Sequence, residues 1–184
     1  MAAAQRRWAA ELLHFWFEIL GPADCFRGGA QVDAALRRRF GPELAALHTQ
    51  AAESFLSDPL TASAAVLLFD QLPRNLFRGE AKAFTYDRLA GEICRGVIAR
   101  GWHQGLGKRG RQFLGLPLMH SEKIADQLAS LAYFTALGDP QITAFARSHY
   151  RMVARFGRFP HRNAVLGRES TPAELAAIAA GNAW

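Results

Sequence analysis

The sequence predicts an all-α fold, an array of antiparallel helix hairpins with seven to eight helices in one domain over 1–184. Three observations carry this. Apolar residues recur at three- and four-residue spacing with no sustained strand alternation. Gly-Pro, Asp-Pro and lone glycines punctuate the periodic stretches. The turns between them are short, which makes successive helices antiparallel neighbours. At 184 residues and 50% apolar, the chain can bury a core without a disulfide or a structural metal.

In order along the chain, Trp8, Leu12, Phe15 and Ile19 mark a first helix, ended at Gly21-Pro22. Its early arginines and apolar run superficially suggest a signal peptide. Glu11, His14 and Glu18 interrupt the run, however, and no small-residue cleavage site follows. Val32, Leu36 and Phe40 mark a second helix, with a stop expected at Gly41-Pro42, and residues 43–55 are read as a third. Asp58-Pro59 reads as an N-cap followed by proline in the first turn. That helix is expected to end at Leu72, because Pro73 lacks an N–H and its ring crowds the preceding turn. Residues 81–100 form a long helix stopped by Gly101, and a loop holds Gly105, Gly107 and Gly110. Ser121 is expected to cap a helix reaching Ala136, and Asp139-Pro140 opens another that runs to Phe156 before Gly157. Thr171, Pro172 and Glu174 spell a capping box.

The formal charge is +6, and only Lys82, Lys108 and Lys123 are lysines. Arginine favours planar, bidentate partners such as carboxylates and phosphates. Cys25 and Cys94 lie far apart with no metal-ligand spacing, which fits buried thiols in a reducing cytoplasm. No apolar stretch approaches the roughly 18 to 20 residues that cross a bilayer.

One internal echo stands out. "FDQLPRNLFRG" (69–79) and "FGRFPHRNAVLGR" (156–168) both set a proline at a helix end, then Arg-Asn, an apolar pair, a glycine and a nearby arginine. Asp70 sits where a helix dipole disfavours negative charge, so it needs a cation, with Arg74 or the arginines of the second elbow as candidates. Gln71, Asn75 and Asn163 are expected to cap neighbouring helix ends. In the hairpin of 121–136 and 140–156, antiparallel pairing sets Glu122 level with Arg155 and Asp126 level with Arg151. Those acids would relieve repulsion along Arg147, Arg151 and Arg155, a few tenths of a kcal/mol per pair. His149 falls on an apolar stripe and reads as a hydrogen-bonded core residue. His120, Ser121 and Glu122 read as a helix start, where backbone N–H groups favour an anion. Adjacent residues do not face one another and no strand-turn-helix elbow surrounds Ser121, which argues against a serine nucleophile. There is no HExxH, and a zinc site from His120, Glu122 and His161 would need a fold-dependent meeting. These pairings leave Arg78, Arg158, His161, Arg162 and Arg168 with too few acids.

Taken in order, "HFWFE", "LLFDQLPRNLFRG", "AFTYD", "FLGLPLMHSEK" and "RFGRFPHRNAVLGRESTPAE" resemble the bacterial family known as domain of unknown function 924, over residues 12 to 180. The resemblance implies a tetratricopeptide-like helical array, right-handed, and no established activity. The family's signature residues fall at Asp70, Gln71, Pro73, Arg74, Asn75, Arg78, His120, Ser121, Glu122, Arg155, Gly157, Arg158, Pro160, His161, Arg162, Asn163, Gly167 and Arg168. The chain departs from it at "GPADCFRGG", where relatives carry a tryptophan-containing segment, and is short before Asp70.

The favoured reading is a binding module with no cofactor and no metal. Arg74, Asn75, Ser121, Arg158, His161, Arg162 and Asn163 would line a groove for an anionic small molecule or an acidic peptide, held by charge-assisted hydrogen bonds. The rival is a metal-independent hydrolase or transferase, with His161 or His120 as acid or base and Glu122 or Asp70 orienting it. A polar core without a site is a third reading. RNA binding is the fourth, disfavoured because Phe156 and Phe159 are expected inside rather than stacking on bases. Membrane insertion is not expected.

Overall fold

The computed structural model describes residues 2–182, which are all-α, with no strand among them. The α-helices are α1 (Ala2–His14), α2 (Pro22–Arg27), α3 (Ala30–Leu47), α4 (Pro59–Val66), α5 (Leu72–Leu76), α6 (Asp87–Ala99), α7 (Lys108–His120), α8 (Ile124–Leu137), α9 (Pro140–Phe156) and α10 (Pro172–Ala179). A π-turn, Leu67–Gln71, joins α4 to α5, so nine continuous helical rods result. The chain clusters into two compact units. The first holds residues 1–78 and 82–114, the second 79–81 and 115–184.

In the first unit α4 packs against α1 and α6, and α3 against α5 and α1. Trp16, Leu36, Phe40, Phe69, Leu72 and Ile93 are fully enclosed there. The first stripe departs from the expected period. Trp8, Leu12 and Phe15 are buried, but Ile19 is 58% exposed and Trp16 and Leu20 are buried in its stead. A π-turn over Phe15–Ile19, closed by the Leu20 N–H on the Phe15 carbonyl at 3.0 Å, adds a residue to that turn and rotates the face.

Two expected proline stops do not occur. α3 runs through Gly41-Pro42 to Leu47, and residues 43–55 yield only the end of α3 and a 3₁₀ turn, Ala52–Phe55. Pro42 and Arg38 both face solvent, so water can take the carbonyl that a proline leaves unserved. Pro73 likewise lies inside a continuous rod. The π-turn before it sends the Leu72 N–H to the Leu67 carbonyl, which re-routes the ladder where proline lacks a donor. Asp58 caps α4 as expected, accepting from the N–H groups of Leu60 and Thr61. The long helix expected from 81 begins at Asp87, after a 3₁₀ turn, and ends at left-handed Gly101.

Of the loop expected at Gly105, Gly107 and Gly110, Gly110 lies instead in a helix: α7 spans Lys108–His120. His120 therefore ends a helix rather than preceding one, and α8 starts at Ile124 without a side-chain cap from Ser121. In the second unit α8 and α9 form the expected hairpin. Asp139 caps α9, left-handed Gly157 ends it, and Thr171 with Glu174 completes the capping box of α10. Met152, Val153, Phe159 and Ala177 make a local core with Phe156 packed against it. Gly115 is required there, because a Cβ at that position would collide with the rings of Tyr133 and Phe134. No helix among the described residues is long and apolar enough to cross a membrane.

Candidate functional site

The first elbow is an ion-pair network in the first unit. Asp70 is fully buried and accepts from Gln71 Nε2 at 2.5 Å, while Arg74 Nη1 lies 3.3 Å from its carboxylate. Arg74 also donates to the Asp70 carbonyl at 2.6 Å and grips Asp87 through both terminal nitrogens, at 2.8 and 2.9 Å. Burial penalises the Arg74 charge, but Asp70 and Asp87 outweigh it and hold its pKa above the usual guanidinium range. Asn75 donates to the Gln71 carbonyl within its own rod rather than capping a neighbour. Arg78 holds Asp33 at 2.9 and 3.2 Å and also bonds Asn75. Gly28 lies against Arg78 and Asn75, where a Cβ would clash.

The second elbow lies in the second unit and is built differently. After Gly157 the chain turns through a 3₁₀ turn, Pro160–Arg162, which buries Phe159, Pro160 and Arg162. Glu122 does not face Arg155. Its carboxylate takes Arg168 through two bonds at 2.8 and 2.9 Å and the Phe159 N–H at 2.7 Å. Burial alone would raise its pKa, but Arg168 and the Phe159 N–H bring it below the usual carboxylate value. Arg155 is exposed and lies over the Phe156 ring. Asp126 accepts from Ser121 Oγ at 2.7 Å, and the same oxygen accepts from the Lys123 N–H. Buried Gln127 donates to the carbonyls of Met119 and Ser121 and so closes the end of α7.

Arg158 is held by Glu174, with Nε and Nη2 at 2.7 and 2.9 Å from the two carboxylate oxygens. Hydrogen bonds from Arg158 and then from the Thr171 N–H lower the Glu174 pKa to about 2. Asn163, fully buried, donates to Ser170 Oγ at 3.0 Å and caps no neighbouring helix end.

Around Phe159 gather three imidazoles and a guanidinium. The Phe159 ring lies 5.4 Å from His149 and 5.6 Å from His161, and His120 is 6.4 Å from His149. Arg162 lies over the same ring at 4.6 Å. His149 is a core residue, as expected, donating from Nδ1 to the Phe145 carbonyl at 2.8 Å. Burial, and then the charge of His120, bring its pKa down to about 3. His161, half-buried, falls to about 4 through burial and then the charge of Arg162, with Glu122 opposing. Both rings are therefore neutral at neutral pH.

The structure thus sorts the candidate residues. His120, Glu122, His161 and Arg162 share one neighbourhood in the second unit, with Ser121 at its edge, Arg158 turned to Glu174 and Asn163 to Ser170. Asp70, Arg74 and Asn75 belong to the first unit's network. Sequence reasoning missed Asp33, Asp87 and Glu174 as counter-ions. Glu174 was legible as a capping residue, but no local pattern reports that a residue sixteen positions upstream takes its oxygens. Among the described residues, no group of three or more His, Cys, Asp or Glu could hold a metal ion.

This all-helical chain belongs to the family described as bacterial protein of unknown function (DUF924), whose model matches residues 12–182. Among solved structures, the protein of unknown function ATU0120 from Agrobacterium tumefaciens is similar, with 35% identity, a TM-score of 0.89, and coverage of 95% of this chain and 98% of that one. No curated protein matches the chain.

Proposed function

We propose that the protein is a binding module for an anionic small molecule or an acidic peptide terminus, received in the second unit beside His161, Arg162 and His120. The observation that carries this reading is the gathering of His149, His161 and Arg162 around the Phe159 ring, beside the Glu122–Arg168 pair. Arg162, His120 and Arg168 each disfavour protonation of His161, and only Glu122 opposes them. An anion placed there would offset those charges, and neutral imidazoles would donate hydrogen bonds to it without a desolvated charge of their own. Arg74 and Arg158 contribute rigidity rather than direct contacts in this reading, because carboxylates already occupy their forks.

Binding ranks above catalysis on the same grounds. Glu122 accepts from Arg168 and the Phe159 N–H, and Asp70 from Gln71 and Arg74, so neither carboxylate is disposed as the orienter of a histidine base. The test is a thermal-shift series with phosphate, dicarboxylates and acidic peptides on the wild type, His161→Gln and Arg162→Lys. A ligand at about a hundred times its Kd stabilises by roughly 2.7 kcal/mol, or about 5 to 10 °C for this length. The reading expects that shift in the wild type and its loss in folded His161→Gln. Equal shifts in both proteins, or none in either, would sink it.

A further inference from the structure

The arginine row of α9 has no part in the reading above. Arg147, Arg151 and Arg155 are exposed and follow one another at one-turn spacing, about 6 Å apart along a single helix face. The hairpin register offered them Glu122 and Asp126, but Glu122 holds Arg168 and Asp126 accepts from Ser121. Among the described residues, no carboxylate pairs with any of the three. Like charges at that spacing repel one another, and an acidic partner would relieve the repulsion.

The same side of the hairpin exposes apolar surface. The end of α7 covers the other side, with Gly115 against Tyr133 of α8 and His120 beside His149 of α9. Ile124 and Leu128 lie roughly half a turn around α8 from Tyr133, and Arg147 and Arg151 roughly half a turn around α9 from His149. All four therefore look outward together. Ile124 and Leu128 are 46% and 53% exposed, and every exposed residue of α8 is Ile, Leu, Ala or Thr. An uncharged apolar strip thus runs beside a row of guanidiniums. These two rows fit a helix whose carboxylates recur once per turn. Each guanidinium can take both oxygens of a carboxylate, while the apolar face of that helix lies on Ile124 and Leu128. An anionic membrane is matched less well, because alanine gives the strip little to insert. A nucleic acid is also matched less well, because the strip offers no cation to a second run of phosphates.

We infer that the outer side of the α8–α9 hairpin docks an acidic amphipathic helix of a partner protein. The surface uses neither His161 nor Arg162, and its test is independent of the reading above. The probe is a labelled, stapled helical peptide with Glu at three successive one-turn positions and Leu on the adjoining face. It is titrated into the full chain by fluorescence anisotropy, beside the same peptide with Gln for Glu, an oligouridylate and phosphatidylserine vesicles. Saturable 1:1 binding of the Glu peptide is expected, about tenfold tighter than the Gln peptide and weaker at higher salt. Arg151→Glu weakens it about tenfold and Leu128→Gln about threefold, whereas His161→Gln leaves it unchanged. A peptide with Lys for Glu binds the triple variant Arg147→Glu, Arg151→Glu, Arg155→Glu in preference to the wild type. No saturable binding, equal binding of the Glu and Gln peptides, or binding that Arg151→Glu and Leu128→Gln both leave intact would overturn the inference. Binding of the oligouridylate or the vesicles in place of the peptide would overturn it too.

Discussion

The two elbows spell nearly the same motif and fold into different backbones. At 69–79 the proline lies inside a continuous rod, made tolerable by a π-turn, and of the two acids that answer Arg74, Asp70 is one turn earlier on the same rod and Asp87 starts α6. At 156–168 a left-handed glycine ends the helix before the proline, and the acids arrive from 37 and 16 residues away in sequence. Proline-Arg-Asn therefore specifies side chains at a bend in chemistry, not an end of a helix; a glycine with positive φ supplies the end. The first elbow is a pure ion-pair lock. The second adds three histidines, which make it sensitive to protons and, in our reading, to anions.

The widest gap between them is expected on truncation. Arg74→Ala removes the cation beside fully buried Asp70, and breaking such a pair costs roughly 3 to 5 kcal/mol in urea unfolding. Arg158→Ala is expected to cost clearly less, since Glu174 keeps its Thr171 N–H. Equal losses would break the distinction.

Acid is the next lever and acts on the second unit. His149 and His161 have pKa values of about 3 and about 4 in the fold, below the ordinary 6.5. The unfolded chain thus binds more protons than the fold between those values, so their stabilisation is complete above 6.5 and is lost as pH falls toward 4 and then 3. The loss is of the order of a few kcal/mol. Glu174, at about 2, has the same sign in a lower window, its contribution being lost as pH falls from 4.5 to about 2. Urea midpoints at stepped pH should follow this course, and a flat profile from 6.5 to 4 would contradict it. His149→Gln should flatten its upper part.

Backbone substitutions should give the smallest effects. Gly157 has φ 70°, so Gly157→Ala should cost about 1 to 2 kcal/mol. Pro73→Ala is expected to change stability by less than about 1 kcal/mol, because the π-turn has already re-routed the ladder. A larger loss at Pro73 would mean that the proline itself maintains the turn.

Much of the fold was legible. Asp58, Asp139 and Thr171 cap their helices through oxygens two or three residues from the N–H groups they serve, and Gly101 and Gly157 end theirs through their own φ. These are local devices and show in local sequence. Pro42 and Pro73 were less legible, because tolerance depends on whether solvent or a π-turn takes up the unserved carbonyl. The π-turns leave no pattern and displaced Ile19 from the core. Of the candidate site, the Asp70–Arg74 pair and the buried His149 could be read from helical spacing. The bond from Glu122 to Arg168 could not, because the hairpin register suggested Arg155 and only the turn after Gly157 brings Arg168 into place.

The measurement that tests the central claim most directly is the titration of the His161 imidazole by NMR, in chloride and in phosphate at matched ionic strength. The account predicts a pKa of about 4 in chloride and a clear rise in phosphate, because a bound anion favours the protonated ring. Identical curves in the two salts, or a pKa near 6.5 in chloride, would contradict it.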